Sequence, residues 1–189
     1  MLKTLPLALG LALLAAAPAA AQKMGSVNRN APTCTQAIKF ANGAEVQLSY
    51  VAITWADGKT LAAAADPQRG EATRNRINST AEAQPLGSVK TTTDLTMSGR
   101  TIPAGEYDLY FTVMENQGNL MWLANLRQKG NKEAEPIRWS LALEDSEMEM
   151  HRLVISLHAG EGDNNAGVYL AFGKKYVMVN LSCAEKAGE

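Results

Sequence analysis

The side chains that most often carry chemistry are scarce in this chain. It has two histidines, His151 and His158, and two cysteines, Cys34 and Cys183. The histidines are an odd number of positions apart, which in a strand puts them on opposite faces. They therefore make neither a shared metal site nor an acid–base pair. The run Met148-Glu149-Met150-His151 offers thioether and imidazole, ligands that suit copper. In a strand, however, Met148 and Met150 share a face and His151 points away, so the two methionines are expected to fill core space. Glu144, Asp145, Glu147 and Glu149 form an acidic run, and Glu161-Gly162-Asp163-Asn164-Asn165 an oxygen-rich turn. Neither has the loop spacing that gathers six to eight oxygens around Ca²⁺, and both read as solvated. No Gly-x-Ser-x-Gly elbow occurs. No catalytic, cofactor-binding or metal-binding residue is assigned, and no cofactor is implied. Carboxylates that meet only in space remain the one route to a hydrolase.

The aromatic residues carry the binding potential. Trp55, Trp122, Trp139, Tyr107 and Tyr110 are the large ones, and most are expected in the core or on a sheet face. Alternation groups Tyr107 with Leu109 and Phe111. It puts Tyr110 on the other face with Asp108 and Thr112, so Tyr110 is the expected surface contact.

The compartment follows from the first residues. Lys3 precedes an almost wholly apolar stretch from Leu5 to Ala17, followed by Pro18 and Ala19-Ala20-Ala21. This is the layout of a signal peptide, with cleavage after Ala21. The apolar core is shorter than the roughly 20 residues that span a bilayer. A secreted or periplasmic protein is expected, with no membrane insertion after cleavage. In an oxidising compartment an even pair of cysteines reads as a disulfide. A Cys34–Cys183 bond would close a loop of about 150 residues and stabilise by up to roughly 5 kcal/mol. The chain's net charge is −1 and the leader carries only Lys3, so the mature part stands at −1 − 1 = −2. Without a basic stripe, nucleic acid is excluded as a partner.

The mature part, 189 − 21 = 168 residues, suits one domain. Residues 22–44 read as an N-terminal arm, 45–183 as the folded domain and 184–189 as a tail. Alternating apolar residues mark strands over Glu45–Trp55, Ser88–Met97, Tyr107–Val113, Leu120–Leu126, Ile137–Leu143, Met148–Leu157, Val168–Phe172 and Tyr176–Leu181. Turn signals separate them, among them Pro103-Ala104-Gly105 and Gly173-Lys174-Lys175. Residues 57–87 have no regular period and predict a long irregular, partly helical excursion, with a short helix over Leu61–Ala65. The result is all-β, an antiparallel β-sandwich of about eight or nine strands.

The segment Gly99–Val113, GRTIPAGEYDLYFTV, resembles the signature of the secreted bacterial domain-of-unknown-function family 2911. So do Glu135-Pro136-Ile137-Arg138, Arg152–Ser156 and Ala171-Phe172-Gly173. The family's Ser-Arg-Pro step after the early strand is replaced here by Val51-Ala52-Ile53, and its Trp-Arg-Thr-Gly-Ala-Asn run survives only as an echo near Arg76–Thr80. The resemblance implies a β-sandwich and export, and no activity. The resulting expectation is an exported, non-catalytic binding or structural module, with a small ligand, glycan or protein as partner. The alternative is a secreted hydrolase with a spatially assembled carboxylate site.

Overall fold

The computed structural model describes residues 30–56 and 58–183. The expected signal peptide, residues 22–29 of the expected arm, Asp57 and the tail 184–189 lie outside the described residues. In chain order the elements are β1 (Thr33–Lys39), β2 (Glu45–Val51), α1 (Lys59–Ala65), α2 (Gly70–Ala83), β3 (Gly87–Thr91), β4 (Leu95–Met97), β5 (Arg100–Ile102), β6 (Gly105–Asn116), β7 (Asn119–Gln128), β8 (Ile137–Leu141), β9 (Glu144–Ala159) and β10 (Asn165–Cys183). They form two antiparallel sheets: a six-stranded one in the order β1-β2-β3-β6-β7-β8 and a four-stranded one in the order β5-β4-β10-β9. Alternate residues of both inner faces fill one core, with Leu48, Leu109, Leu126 and Trp139 from the first sheet and Leu95, Ile102, Ile155 and Leu181 from the second. This is the expected β-sandwich.

Three expectations about the elements change. The folded domain starts before Glu45, because β1 lies within the expected arm and pairs with β2 from Thr33↔Val51 to Lys39↔Glu45. Its sequence, TCTQAIK, has only a weak apolar alternation and no fully buried residue, as befits an edge strand. The expected strand Ser88–Met97 is two strands in different sheets. Thr91 Oγ1 donates to Thr93 O at 2.6 Å, bending the chain between β3 and β4. Within 57–87, the short helix over Leu61–Ala65 is present as part of α1, and α2 adds a second helix of 14 residues. Its residues are fair helix formers but carry no apolar stripe, so no period marks it.

β10 illustrates a reversal that the turn residues signal. Laid straight, its 19 residues would span about 60 Å. Yet the Cys183 N–H donates to Asn164 O at 2.9 Å. The chain therefore doubles back, and Gly173, at φ 61°, marks the reversal within the expected Gly173-Lys174-Lys175 turn. β10 pairs with β9 from Ala166 to Tyr176, on both sides of Gly173, and its last residues, Leu181–Cys183, pair with β4.

The expected Cys34–Cys183 disulfide is not formed; both are free thiols. Cys34 pairs with Tyr50 near the start of the β1–β2 hairpin. Cys183 lies beside the far end, where Asn42 Nδ2 approaches its Sγ at 3.5 Å. From Cys34 to Lys39 alone the strand covers about 17 Å, whereas a disulfide needs Cα atoms within about 7 Å. Nearness to the two chain ends does not bring the cysteines together. Met148 also departs from expectation: it is 65% exposed, not core.

The Pro103-Ala104-Gly105 corner is built as scaffold. The Ala104 N–H donates to Asp94 Oδ1 at 2.8 Å, and the Tyr107 hydroxyl donates back to Pro103 O at 2.7 Å, in the manner of a tyrosine corner. Gly105 has φ 157°, and the Tyr107 ring lies over it. Burial pushes the Tyr107 phenol pKa up, as does the nearby Asp94 carboxylate, so the hydroxyl stays a donor at neutral pH. Tyr107→Phe is expected to lose about 0.5–1.5 kcal/mol, and Gly105→Val about 1–3 kcal/mol from backbone strain. Thermal unfolding measures both; melting temperatures equal to wild type would show that the corner does not hold the fold.

Candidate functional site

What each sheet edge does decides where a ligand could lie. Strand edges expose backbone N–H and C=O groups that must find partners. On one side of the sandwich they do. Gln36 on β1 reaches the outer edge of β9, its Nε2 donating to Ile155 O and its Oε1 accepting from the Leu157 N–H, each at 2.9 Å. The Ile155 N–H donates to the Tyr50 hydroxyl at 3.0 Å. Beyond β2 the chain crosses over, with Thr54 bridging Arg152 and the Leu153 N–H donating to Ile53 O at 2.9 Å. That side is sealed. On the other side, β8 ends one sheet and β5 the other, and neither has a further strand neighbour among the described residues.

A groove of about 900 Å³ follows this open seam. Gly99, Arg100 and Thr101 line it from the β4–β5 corner. Glu135, Pro136, Ile137, Arg138 and Ser140 line it from β8 and the loop before it, and Met114, Met121 and Leu123 from the outer face of β6 and β7. Met114 is 42% exposed, an adaptable apolar surface. The ionisable lining residues are Arg100, Arg138 and Glu135, so the walls carry 2 − 1 = +1. Neither arginine forms an ion pair among the described residues.

Arg138 is held from below. Its Nε donates to Asn125 Oδ1 at 2.8 Å, and Asn125 is fully buried. The Asn125 amide in turn donates to Thr112 Oγ1 at 3.0 Å, Leu123 O at 3.1 Å and Tyr110 O at 3.4 Å. Asparagine is disfavoured in strands, and burying it demands that its hydrogen bonds be satisfied. Here they are, and the network ends at the exposed Arg138, held through its Nε, which lines the groove.

Helix α2 covers the rest of that sheet face. Asn78 binds the β6 backbone at Val113, accepting its N–H at 2.8 Å and donating to its carbonyl at 2.9 Å. Arg127 donates to Glu82 O at 2.8 Å and lies 5.3 Å over the Tyr110 ring. Tyr110 does take the outward face, as alternation requires, but it is not a surface contact: α2 leaves it 1% exposed. Burial pushes its phenol pKa up, against the pull of Arg127. The excursion 57–87 packs on the face that alternation would expose.

Other candidates resolve into structure. His151 is exposed and His158 half-buried, on opposite faces of β9. Glu144 accepts from the Tyr176 hydroxyl at 2.6 Å, and Asp145 pairs with Lys175 at 2.6 Å. In the Glu161–Asn165 turn, the Asn165 side chain donates to Glu161 O at 2.6 Å. Among the described residues no group of three or more His, Cys, Asp or Glu side chains could hold a metal ion. Trp55 and Trp122 meet Phe172 edge-on, at 4.9 and 6.3 Å. Trp55 also lies over Gly173, so closely that a Cβ there would meet its ring at 2.4 Å. These aromatics plug one end of the sandwich.

Residues 80–181 match the family described as "Protein of unknown function (DUF2911)". The chain belongs to that family. The match covers strands β3 to β9, most of β10 and the groove, and it leaves out β1, β2, α1 and most of α2. No curated protein and no solved structure matches the chain. DUF2911 membership thus fixes kinship without assigning an activity, and the chemistry rests on the groove.

Between the sheets lies a second space, an apolar cavity of about 80 Å³. Left empty, a cavity of that size lowers stability by about 2 kcal/mol. Trp139 lines both the cavity and the groove.

The sequence marks Arg138 only by its place in Glu135-Pro136-Ile137-Arg138, and Asn125 only as an amide in an otherwise apolar strand. Asn125→Leu leaves buried polar groups without partners and should destabilise by about 1–3 kcal/mol. Asn125→Asp should be worse, because a carboxylate oxygen then faces three acceptors. Urea unfolding gives the order; an Asn125→Leu variant as stable as wild type would remove the network from the account.

Proposed function

We propose that the protein is an exported, non-catalytic binding module whose groove takes a small, singly charged anion with an apolar body. Arg138 carries the reading. With its Nε already engaged by Asn125, the remaining two nitrogens present a fork that suits a carboxylate. Fixing a long side chain before binding removes the entropy that ordering it would otherwise cost. Arg100 stands on the opposite wall, and Met114, Met121 and Leu123 offer apolar contact. A net wall charge of +1 matches a monoanion better than a phosphate dianion. Among the described residues the groove carries a single carboxylate, Glu135, where glycoside hydrolysis uses a facing pair. This favours binding over the hydrolase alternative.

Export is supported by the apolar leader and the Ala19-Ala20-Ala21 step. Mass spectrometry of the protein from its native host should find Gln22 as the N-terminus; intact Met1 on most molecules would remove export from the proposal.

Titration calorimetry with sodium butanoate tests the site. Wild type should bind, and Arg138→Gln should bind about tenfold or more weakly, as expected for loss of a hydrogen bond to a charged group. Lys129→Gln, which changes a cation paired with Glu106 at 3.5 Å, should bind like wild type. Equal affinity in the Arg138 and wild-type proteins would mean that the groove is not the anion site.

A further inference from the structure

We infer that the interior cavity is the tail pocket of the groove, and that the ligand is a linear alkyl carboxylate whose chain passes Trp139 into the space between the sheets. This rests on the anion reading above and names the ligand class. Three observations carry it. First, the two spaces share a wall: Trp139 lines both. On the opposite strand, Thr101 lines the groove and its neighbour Ile102 the cavity. Second, that wall is a seam. β8 and β5 terminate their sheets there, so among the described residues no backbone ladder crosses it and none must break for a chain to enter. Third, the chemistry changes across it in the way an amphiphile requires. The groove holds Arg138 and Arg100, and the cavity lining is entirely apolar.

The cavity's size sets the fit. At about 80 Å³ it has room for two or three methylene-sized groups, a water-sized group taking roughly 30 Å³. A chain long enough to leave the carboxylate on Arg138 and place its end beyond Trp139 therefore fills the void without opening the sheets. A bulky ring would not fit.

The test uses sodium carboxylates from butanoate to decanoate with the full mature protein. In wild type, affinity should rise by about fourfold for each methylene that enters the cavity and level off once it is full. With octanoate, NMR should show contacts from the terminal methyl to the methyl groups of Ile155 and Leu170, which line the cavity. Ala124→Leu, which fills the cavity from its wall, should bind butanoate as wild type does and lose the gain with length. Terminal-methyl contacts confined to Met114 and Met121, or affinity that does not change with length while Arg138→Gln still weakens binding, would overturn the tail pocket and leave the anion site standing. No binding of any carboxylate to wild type would overturn the anion site and the tail pocket together. If Ala124→Leu does not fold, the length series and the methyl contacts in wild type decide alone.

Discussion

Everything in this sandwich follows from where its backbone hydrogen bonds run out. A sheet satisfies its interior strands for free, but each terminal strand presents a row of donors and acceptors that water or another group must meet. The protein meets much of this need with side-chain amides. Gln36 gives β9 the donor and acceptor that a neighbouring strand would have supplied. Asn78 does the same for β6 at Val113, past the point where β3 ends opposite Leu109. Each amide carries both a donor and an acceptor on one plane, which makes it the natural substitute for a peptide group. The β1–β9 side is sealed in this way and the α2 side is docked in this way, whereas among the described residues the β8–β5 seam has no strand pairing across it.

The same accounting explains α2. A helix without an apolar stripe gains little from the hydrophobic effect on docking. This one is held by polar contacts at defined points: Asn78 on Val113, the Glu82 carbonyl on Arg127, and Arg74 Nη1 on Ala64 O at 2.7 Å. Gly70 permits the close turn between the helices, since a Cβ there would meet Ala64 O at 2.5 Å. In exchange the sheet face beneath becomes interior. Tyr110, Thr112 and Asn125 are buried on a side that would otherwise be wet, and the buried amide then fixes Arg138.

This is also why the sequence discloses the sandwich more readily than the site. Period-two alternation comes from burial of one strand face, and it survives in the sequence wherever that face meets the core. Leu109 and Leu126 are legible for that reason. So is the reversal at Gly173, because a positive φ needs a particular residue. Asn78, Gln36 and Asn125 act across 35, 119 and 13 positions of chain, through hydrogen bonds that leave no period. Tyr110 shows the limit most clearly: alternation assigns its face correctly, and only a helix with no pattern of its own decides that the face is covered. The cysteines show the converse, since an even count says nothing of the strand geometry that places Cys34 at one end of the β1–β2 hairpin and Cys183 beside the other.

The seam between β8 and β5 brings these points together. A sandwich closed by strand pairing on both sides would have a core reachable only through its ends, one of which is plugged by Trp55, Trp122 and Phe172. Closing one side with hydrogen bonds and the other with Trp139 divides the labour between rigidity and access. Backbone ladders and amide substitutes give way only by unfolding, whereas an indole at a packed seam moves by changing rotamer. The fixed guanidinium of Arg138 stands on the strand that carries Trp139, one residue away and on the opposite face of the pleat. That spacing ties a charge outside the sheet to an apolar wall inside it, so the anion site and the tail pocket proposed above would both be set by a single strand, β8.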